Sequence, residues 1–344
     1  MKTIIICGGG TLGHIMPGVA IGKILKQKKY NIIFIMSSKD RKFETFTNIP
    51  DIDKSYYYEV EGINRKNYFK NIFGVIKNYC SYLKIKELLK EIKPSLVIGM
   101  GGYISGIVIK AAYSLSIKTI LHEQNSVIGL ANKLCLKMVD KVFLSFPIDN
   151  IKNSVVVGNP RILDTVNILK NSIYNHITVI SGSLGSSVIN KTMIKFLKDD
   201  RSKKYFTTLV TGARYYEEVI NELGTNKTDH FEIIPLTNNI LDILSTSSLV
   251  ISRSGATSIF EIIGLTISSI LIPSPNVTNN HQYYNALYLQ NKNACILIDE
   301  KELTLDLLIK NIEYGINNSI IKDNLEKIKK EYLKISWIGE LENV

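Results

Sequence analysis

Short apolar runs alternate with longer amphipathic stretches along the whole chain. This alternation is typical of βαβ units, in which helices join parallel strands and cover both faces of the sheet. The pattern predicts six strands in the N-terminal half, at 3–7, 32–36, 96–99, 119–122, 142–145 and 155–157. It predicts six more in the C-terminal half, at 177–180, 206–210, 232–234, 249–252, 269–272 and 295–298.

The two series of strands meet near Gly158-Asn159-Pro160. A chain of 344 residues is long enough for two domains of ordinary size. We therefore predict an α/β protein with two doubly wound Rossmann-like domains that face each other across a cleft. The first domain is expected over residues 1–158 and the second over residues 159–344, and we expect the last of the terminal helices to pack back on the first domain.

Positive charge is concentrated in the N-terminal half. Residues 1–158 contain 23 Lys and Arg against 11 Asp and Glu, which accounts for the whole formal net charge of +11. A basic surface of this kind attracts nucleic acid or anionic lipid. Hydrophobic residues make up 45% of the chain, which excludes a mostly disordered protein.

The four cysteines lie far apart and lack the spacing of zinc ligands. We therefore expect neither a disulfide framework nor a structural metal, and we expect a cytoplasmic protein. Residues 3–22 carry no charge, but they contain six glycines and a proline. Their apolar run is too short for a signal peptide, so we expect this segment neither to span a membrane nor to direct export.

Glycine-rich loops follow several of the predicted strands. Segment 7–14 contains the GxGxxG pattern of dinucleotide sites, but the acidic residue expected after the second strand to hold a ribose is missing from residues 36–39. We therefore favour a loop whose amides and helix N-terminus bind a phosphate or diphosphate. Similar loops lie at 99–106 and 181–186. Because loops after parallel strands meet at one edge of a sheet, each half is expected to bind an anionic group.

Residues 122–132 read His-Glu-Gln-Asn-Ser-Val-Ile-Gly-Leu-Ala-Asn. Together with the three glycine loops, the GNPR and RSGA-xxxxE motifs and the run NNHQYYNA, they occur in the same order as in the MurG family, which the chain resembles from Gly9 to Ala286. MurG enzymes are membrane-associated N-acetylglucosaminyltransferases that complete lipid II of peptidoglycan. The resemblance implies a GT-B glycosyltransferase fold, UDP-N-acetylglucosamine as the donor, lipid I as the acceptor and no cofactor.

The resemblance also implies where the substrates bind. Glu261 of the second domain matches a glutamate that accepts hydrogen bonds from both ribose hydroxyls. The other donor-binding residues that it implies are Arg161 and Ser183 at the diphosphate, Gln282 and Asn285 at the sugar, and Thr11, Leu12, Gly13, Asn125, Ser258 and His281. The residues implied for the lipid I diphosphate are Gly9, Gly10, Gly101, Gly102 and Tyr103. Leu12 stands where the family has glycine, which places a side chain beside the expected phosphate.

Glycosyl transfer needs a base for the attacking hydroxyl and a group that stabilises the departing diphosphate. His14, at the start of the first predicted helix, is one candidate base because the helix N-terminus favours a neutral imidazole. Glu123 is the other. The sequence leaves open whether His14 only orders its loop and whether Glu123 only braces a neighbour. Arg161, with Ser183 and the N-terminus of the following helix, is the candidate for the leaving group.

Asp51 and Asp53 form a DxD motif, which binds a metal–nucleotide complex in a different glycosyltransferase architecture. They lie in a proline-containing loop, so we interpret them as a solvated turn. The arginine and the helix N-termini then imply a mechanism without a metal.

Segment 65–93 combines eight cations with apolar residues at helical spacing. One interpretation is a crossover helix with a core face and a solvated face. The other is an interfacial helix that binds an anionic membrane, and we favour it because a lipid-linked acceptor requires contact with the bilayer. The residues expected at the membrane are Phe69, Lys70, Ile72, Phe73, Ile76 and Lys77. We therefore expect a peripheral protein on the cytoplasmic face of the cell membrane.

Two other classes of protein remain as alternatives. A basic nucleic-acid-binding protein would explain the charge but would leave the C-terminal motifs unused, so we expect no nucleic-acid partner. Another GT-B enzyme, such as a glycolipid synthase or a sugar-nucleotide epimerase, would share the fold but lack the 122–132 motif.

Overall fold

The computed structural model describes residues 1–62, 68–182 and 184–344, with the side chains of residues 68–72 outside this description. Within that part of the chain the strands are β1 (Thr3–Cys7), β2 (Asn31–Ser37), β3 (Lys54–Tyr58), β4 (Leu96–Gly99), β5 (Thr119–Glu123), β6 (Lys141–Leu144), β7 (Ser154–Val156), β8 (His176–Ile180), β9 (Phe206–Val210), β10 (Phe231–Ile234), β11 (Leu249–Ser252), β12 (Ser268–Leu271) and β13 (Ile296–Leu297). The twelve predicted strands are confirmed to within one residue at each end.

Helices connect the strands and cover both sheets. Those in the described residues are α1 (Leu12–Gln27), α2 (Glu44–Thr47), α3 (Tyr68–Ile92), α4 (Gly102–Tyr113), α5 (Leu130–Cys135), α6 (Arg161–Asp164), α7 (Ser187–Lys198), α8 (Tyr216–Leu223), α9 (Ile240–Ser245), α10 (Ala256–Leu265), α11 (His281–Gln290), α12 (Leu305–Ile316), α13 (Ser319–Leu333) and α14 (Trp337–Glu342). Short 3-10 helices lie at Ser38–Phe43, Asp200–Lys204, Thr278–Asn280 and Glu300–Glu302.

The chain forms two compact units. The first comprises Met1–Arg161 with Ile335–Val344, and the second comprises Ile162–Lys334. Across the described residues, the first unit has the strand order β3-β2-β1-β4-β5-β6-β7 and the second has β10-β9-β8-β11-β12-β13. Paired strands run parallel throughout both sheets of this described part. The prediction of two doubly wound α/β units is confirmed.

Strand β3 was not predicted because its sequence, Lys-Ser-Tyr-Tyr-Tyr, lacks an apolar run. It lies at the edge of the first sheet and pairs with β2, so its side chains are only partly buried. Central strands such as β1 are buried on both faces, which explains why they read as continuous apolar runs.

Helix α14 packs on the first sheet through Trp337, the only tryptophan in the sequence. Its ring is 4% exposed and meets the rings of His122 and Phe143 edge to face, at centroid distances of 5.3 and 5.2 Å. Lys141 and Glu340 form an ion pair of 2.7 Å beside this contact. The aromatic cluster therefore ties the end of the chain to β5 and β6.

Candidate active-site loops

The first glycine loop lies between β1 and α1 and is held by a buried carboxylate. Gly10 has φ +90°, in the left-handed region that favours glycine. Its amide donates to Asp40 Oδ1 at 2.9 Å, and the Ser37 amide donates to Asp40 Oδ2 at 3.1 Å. Asp40 is 1% exposed. The amide expected to bind the acceptor diphosphate at Gly10 is therefore engaged by Asp40.

Asp40 is a site residue that was not predicted from the sequence, because it lies one residue beyond segment 36–39, where an acid was expected. Ser37 and Asp40 form a capping box at the start of the 3-10 helix Ser38–Phe43. The Ser-x-x-Asp spacing is the sequence signal that could have identified this helix start. In the structure this carboxylate holds the glycine loop, which is a different role from binding the ribose of a dinucleotide.

His14 lies at the start of α1, half-buried between the first two glycine loops. Its Nδ1 is 3.0 Å from the Gly9 carbonyl oxygen. A carbonyl can only accept, so Nδ1–H donates and the neutral ring has its lone pair on Nε2. A methyl group on Gly101 would lie 3.1 Å from Nε2, which places this nitrogen against the second loop.

The second glycine loop contacts the first through its backbone. Gly101 and Gly102 have φ of +98° and +81°. A methyl group on Gly102 would lie 2.5 Å from the Gly9 carbonyl oxygen, so only glycine permits this approach. The structure thus brings His14 and the two predicted diphosphate loops together at the carboxyl edge of β1 and β4.

The other predicted residues of these loops lie at the surface or partly buried. Thr11 is exposed, and Leu12 and Gly13 are half-buried in the first turn of α1. Tyr103 is 44% exposed, and its ring packs over Gly62.

Glu123 is the last residue of β5 and is 2% exposed. Its Oε1 accepts from the Asn125 amide at 3.0 Å and lies 3.4 Å from Asn125 Nδ2. Its Oε2 accepts from the Gly129 amide at 2.9 Å and from Asn132 Nδ2 at 2.7 Å. Both carboxylate oxygens therefore hold the loop that follows β5, and Asn125 is itself part of that network.

His122 lies on β5, fully buried beneath the loops. Its Nε2 donates to the Gly158 carbonyl at 3.2 Å, and its Nδ1 is 3.3 Å from Gln124 Nε2. Burial disfavours the charged ring and lowers the pKa of His122 to about 3. His122 is therefore neutral at physiological pH and unsuited to accept a proton there.

Arg161 begins α6 and is 4% exposed, so it is not a solvated turn residue. Its amide donates to Asn159 Oδ1 at 3.1 Å. Asn159 is itself fully buried. The Gly-Asn-Pro-Arg motif therefore forms a buried turn that fixes the backbone of the arginine.

The third glycine loop leads from β8 into α7 in the second unit. Ser183, which was predicted to bind the donor diphosphate, lies outside the described residues. Ser186 caps α7 by accepting from the Ile189 amide, and it also accepts from Arg253 Nη2 at 2.6 Å. Arg253 is paired with Glu300 as well. This arginine, which was not predicted as a site residue, ties the end of β11 to the start of α7.

Polar side chains converge where β11 leads into α10. Glu261 on α10 is 4% exposed. Asn285 on α11 is fully buried, and its Nδ2 donates to the Ser254 carbonyl at 3.2 Å. Among the described residues, the buried hydroxyls of Ser254 and Thr257 have no hydrogen-bond partner. The structure therefore holds Asn285 of α11 against the residues that lead into α10, the helix that carries Glu261.

The remaining predicted donor residues lie near the starts of α10 and α11. Ser258 is half-buried in the first turn of α10. Gln282 Oε1 accepts from the Ser274 amide at 2.8 Å, which leaves its Nε2 as the donor end of the amide. His281 Nδ1 donates to the Thr278 carbonyl at 2.9 Å.

The DxD motif has a structural role at one of its two acids. Burial opposes ionisation of Asp53, but the amide of Ile32 and the ammonium of Lys26 outweigh it and lower the pKa of Asp53. The two distances are 2.8 Å and 2.5 Å. Over the residues that the structure describes, no group of three His, Cys, Asp or Glu side chains is placed to hold a metal ion.

Helix α3 exposes the two apolar residues expected at a membrane whose side chains the structure describes. Phe73 and Ile76 are 73% and 56% exposed, and Lys77 is exposed beside them. The core face of α3 is instead formed by Ile85 and Leu89. The side chains of Phe69, Lys70 and Ile72 lie outside the description. In the described part of the chain, no helix combines the length and apolarity needed to cross a bilayer.

Comparison with known proteins identifies the class of protein. Residues 4–144 match the glycosyltransferase family 28 N-terminal domain, and residues 176–334 match the glycosyltransferase family 28 C-terminal domain. The fold resembles the crystal structure of Acinetobacter baumannii MurG, with a TM-score of 0.71 at 20% identity over 96% of this chain and 95% of that one. The calicheamicin glycosyltransferase CalG4 gives a TM-score of 0.69 at 10% identity, over 97% and 94%. The chain is thus a glycosyltransferase with the GT-B fold.

Two relatives define the family more narrowly. A protein of Thermoanaerobacter sp. (strain X514) is 36% identical over 95% of both chains, and one of Lactobacillus acidophilus is 37% identical over 90% of both. Both are named UDP-N-acetylglucosamine–N-acetylmuramyl-(pentapeptide) pyrophosphoryl-undecaprenol N-acetylglucosamine transferase. The chain belongs to this family of transferases, the MurG family.

Proposed function

We propose that this chain transfers N-acetylglucosamine from UDP-N-acetylglucosamine to the 4-hydroxyl of the N-acetylmuramoyl unit of lipid I, giving lipid II. The observation that carries this proposal is the match over 95% of both chains to a relative named for that reaction. The site residues support it, because the glycine loops and the polar cluster lie at the carboxyl ends of parallel strands, where doubly wound folds bind ligands.

The second unit supplies the donor side. Glu261 accepts hydrogen bonds from the two ribose hydroxyls. A carboxylate suits this role because a hydrogen bond to a charged acceptor is stronger than one to a neutral acceptor. Asn285 and Gln282 present amide groups to the sugar, and the buried hydroxyls of Ser254 and Thr257 gain partners when the donor binds. The N-terminus of α7 stabilises the charge that develops on the departing UDP. Arg161, the last residue of the first unit, is the other candidate for this role.

The first unit supplies the acceptor side and the base. His14 Nε2 takes the proton of the attacking hydroxyl, since its Nδ1 is committed to the Gly9 carbonyl. Glu123 is the weaker candidate, because both of its oxygens already accept from the loop after β5. Attack opposite to the departing UDP inverts the anomeric carbon, so an α-linked donor gives a β-1,4 product.

The test is a coupled assay of UDP release from UDP-N-acetylglucosamine, with and without a short-chain lipid I analogue. Release that depends on the analogue, with a β-1,4 disaccharide as product, supports the proposal. A matched assay with UDP-glucose controls for donor selectivity. Release that is unaffected by the lipid I analogue, or transfer to another acceptor alone, contradicts it.

We also propose that the chain binds the cytoplasmic face of the cell membrane as a peripheral protein through α3. Phe73, Ile76, Tyr79 and Leu83 are between 44% and 73% exposed, and they follow one another at helical spacing. Lysines flank them, as at Lys77 and Lys84. Apolar side chains that enter the interface, surrounded by cations that attract anionic headgroups, are typical of interfacial helices.

Vesicle sedimentation tests the membrane proposal. Each surface cation contributes about 1 kcal/mol of attraction to anionic lipid, so binding to phosphatidylglycerol vesicles should exceed binding to neutral vesicles and weaken with salt. The variant Phe73→Ser with Ile76→Ser should bind less, whereas Leu169→Ser, which removes a 90% exposed leucine of the second unit, is the matched control. Equal binding to both kinds of vesicle would contradict the role of charge.

A further inference from the structure

Gln124 lies between His122 and the second glycine loop and is 2% exposed. Its Nε2 donates to the Met100 carbonyl at 2.5 Å and lies 3.3 Å from His122 Nδ1. A carbonyl and an unprotonated ring nitrogen both accept, so these contacts fix which end of the amide carries the nitrogen. The other end, Oε1, is buried and has no hydrogen-bond partner among the described residues. A buried acceptor left in this state costs free energy unless something donates to it.

The Oε1 atom of Gln124 borders the same small space as the ring of His14. A methyl group on Gly101 would lie 3.4 Å from Gln124 Oε1 and 3.1 Å from His14 Nε2. Gly101 has φ +98°, so glycine is favoured here and the space between the two side chains is kept open. Gln124 Oε1 and His14 Nε2 therefore both face the side of Gly101 on which a Cβ would lie.

We propose that Gln124 is a positioning residue for His14, whose Nε2–H donates to Gln124 Oε1 once the ring has taken the proton. This inference rests on the proposed function, in which His14 is the base. During transfer the acceptor O–H bond breaks and the oxygen forms a bond to the anomeric carbon. The bond from that carbon to the diphosphate oxygen breaks, and its electron pair leaves on UDP. The acceptor oxygen then joins two carbons and accepts poorly, and the unpartnered Gln124 Oε1 offers Nε2–H an acceptor.

Three other titratable groups of these loops, Asp40, Glu123 and His122, are engaged elsewhere. Asp40 and Glu123 each accept from backbone amides with both carboxylate oxygens. His122 is neutral and its ring is already bonded at both nitrogens. The first turns of α1 and α4 carry no acidic side chain. Gln124 is thus a neutral acceptor that stabilises the imidazolium without holding His14 permanently protonated.

The test uses two substitutions of opposite effect in the full-length enzyme. Gln124→Met keeps the size of the side chain and removes its acceptor, so the pKa of His14 should fall by about one unit. Gln124→Glu places a carboxylate there and should raise that pKa by about one unit or more. Gln27→Met, the same exchange at an exposed position at the end of α1, is the matched control. Two readouts apply, the acid limb of kcat/KM against pH and the NMR titration of the His14 ring.

The two readouts separate this inference from the proposed function. We expect both to shift down in Gln124→Met and up in Gln124→Glu, with kcat about tenfold lower in the methionine variant. An unchanged His14 titration in both variants overturns the role of Gln124, even if the enzyme is active. Loss of lipid I dependent transfer in the unmodified chain instead overturns the proposed function, and the NMR titration then still tests the contact. Fluorescence of Trp337 checks that the first unit is folded in each variant.

Discussion

The two units repeat one architecture, but their loop edges differ in how their polar groups are satisfied. In both sheets the order of the parallel strands reverses beside the first strand of the unit, β1 or β8, and a glycine loop follows that strand in each. In the first unit, buried carboxylates occupy the loop amides, as Asp40 does at Gly10, and one side-chain acceptor at this edge, Gln124 Oε1, has no partner among the described residues. In the second unit, the buried hydroxyls of Ser254 and Thr257 have no partner among the described residues.

This difference indicates how each edge works. An edge whose amides already bind internal carboxylates is preorganised, so it holds His14 in place without a ligand. An edge with unsatisfied buried hydroxyls gains free energy when a polar ligand binds, because each unpaired buried group costs about 1 to 3 kcal/mol. The first unit is therefore expected to govern the rate of transfer, and the second unit is expected to govern donor affinity.

The largest expected effect that tests this division is on the rate. His14→Ala should lower kcat by roughly 10² to 10⁴, with little change in UDP-N-acetylglucosamine affinity, since general base catalysis contributes about that much. Steady-state kinetics with the lipid I analogue measure it. Glu123→Ala is the paired variant and should destabilise the first unit while keeping the acid limb of the pH profile. Near-full kcat in His14→Ala, with the acid limb lost in Glu123→Ala, would assign the base to Glu123.

The next effect is on donor affinity and belongs to the second unit. Glu261→Ala should weaken UDP binding by roughly 10- to 150-fold, because a hydrogen bond to a charged group contributes about 1.5 to 3 kcal/mol. Titration calorimetry with UDP measures this change, and His14→Ala serves as the control from the other unit. A near-normal affinity in Glu261→Ala would remove Glu261 from the donor site.

A third effect concerns how the stability of the first unit depends on pH. Trp337 lies in that unit, so its fluorescence reports on the first unit alone. The pKa of His122 is about 3 when folded and near 6.5 when unfolded, so the unfolded chain binds the proton first as pH falls. The free energy of unfolding that neutral His122 contributes at pH 7 is therefore lost as the pH drops below 6.5. The loss reaches about 2 kcal/mol at pH 5. Urea unfolding followed by fluorescence of Trp337, which contacts His122, reports it. In His122→Gln this component of the pH dependence should disappear.

The smallest expected effect is at Asp40. Asp40→Asn keeps the shape of the side chain but replaces one acceptor oxygen with a donor, so either the Gly10 or the Ser37 amide loses its partner. We expect a loss of about 1 to 2 kcal/mol in the free energy of unfolding, measured by urea denaturation, and a smaller fall in kcat than in His14→Ala. Unchanged stability together with tighter binding of the acceptor would mean that the carboxylate competes with the acceptor diphosphate.

The sequence alone determined the features that depend on local periodicity and backbone sterics. Apolar runs located twelve strands, because a strand buried on both faces requires consecutive apolar residues. Glycines such as Gly101 and Gly102 marked the loops, because a positive φ and a close backbone approach exclude other residues. The motifs at 122–132 and 253–261 located the loop edge of each unit, because their residues recur at short fixed spacings that are visible in the sequence.

Tertiary structure decided how the polar groups were shared and which faces were buried. Asp40 reaches Gly10 across 30 residues, so no local pattern assigns that amide to a carboxylate. Glu123 accepts from donors only two to nine residues further along the chain, at Asn125, Gly129 and Asn132, but only the fold of this segment directs all of them to one carboxylate. On α3, periodicity gave an apolar stripe but not its direction, because helical spacing alone cannot tell whether the stripe meets the core or the solvent. Hydrogen bonds and burial depend on neighbours distant in sequence, and the folded chain alone brings those neighbours together.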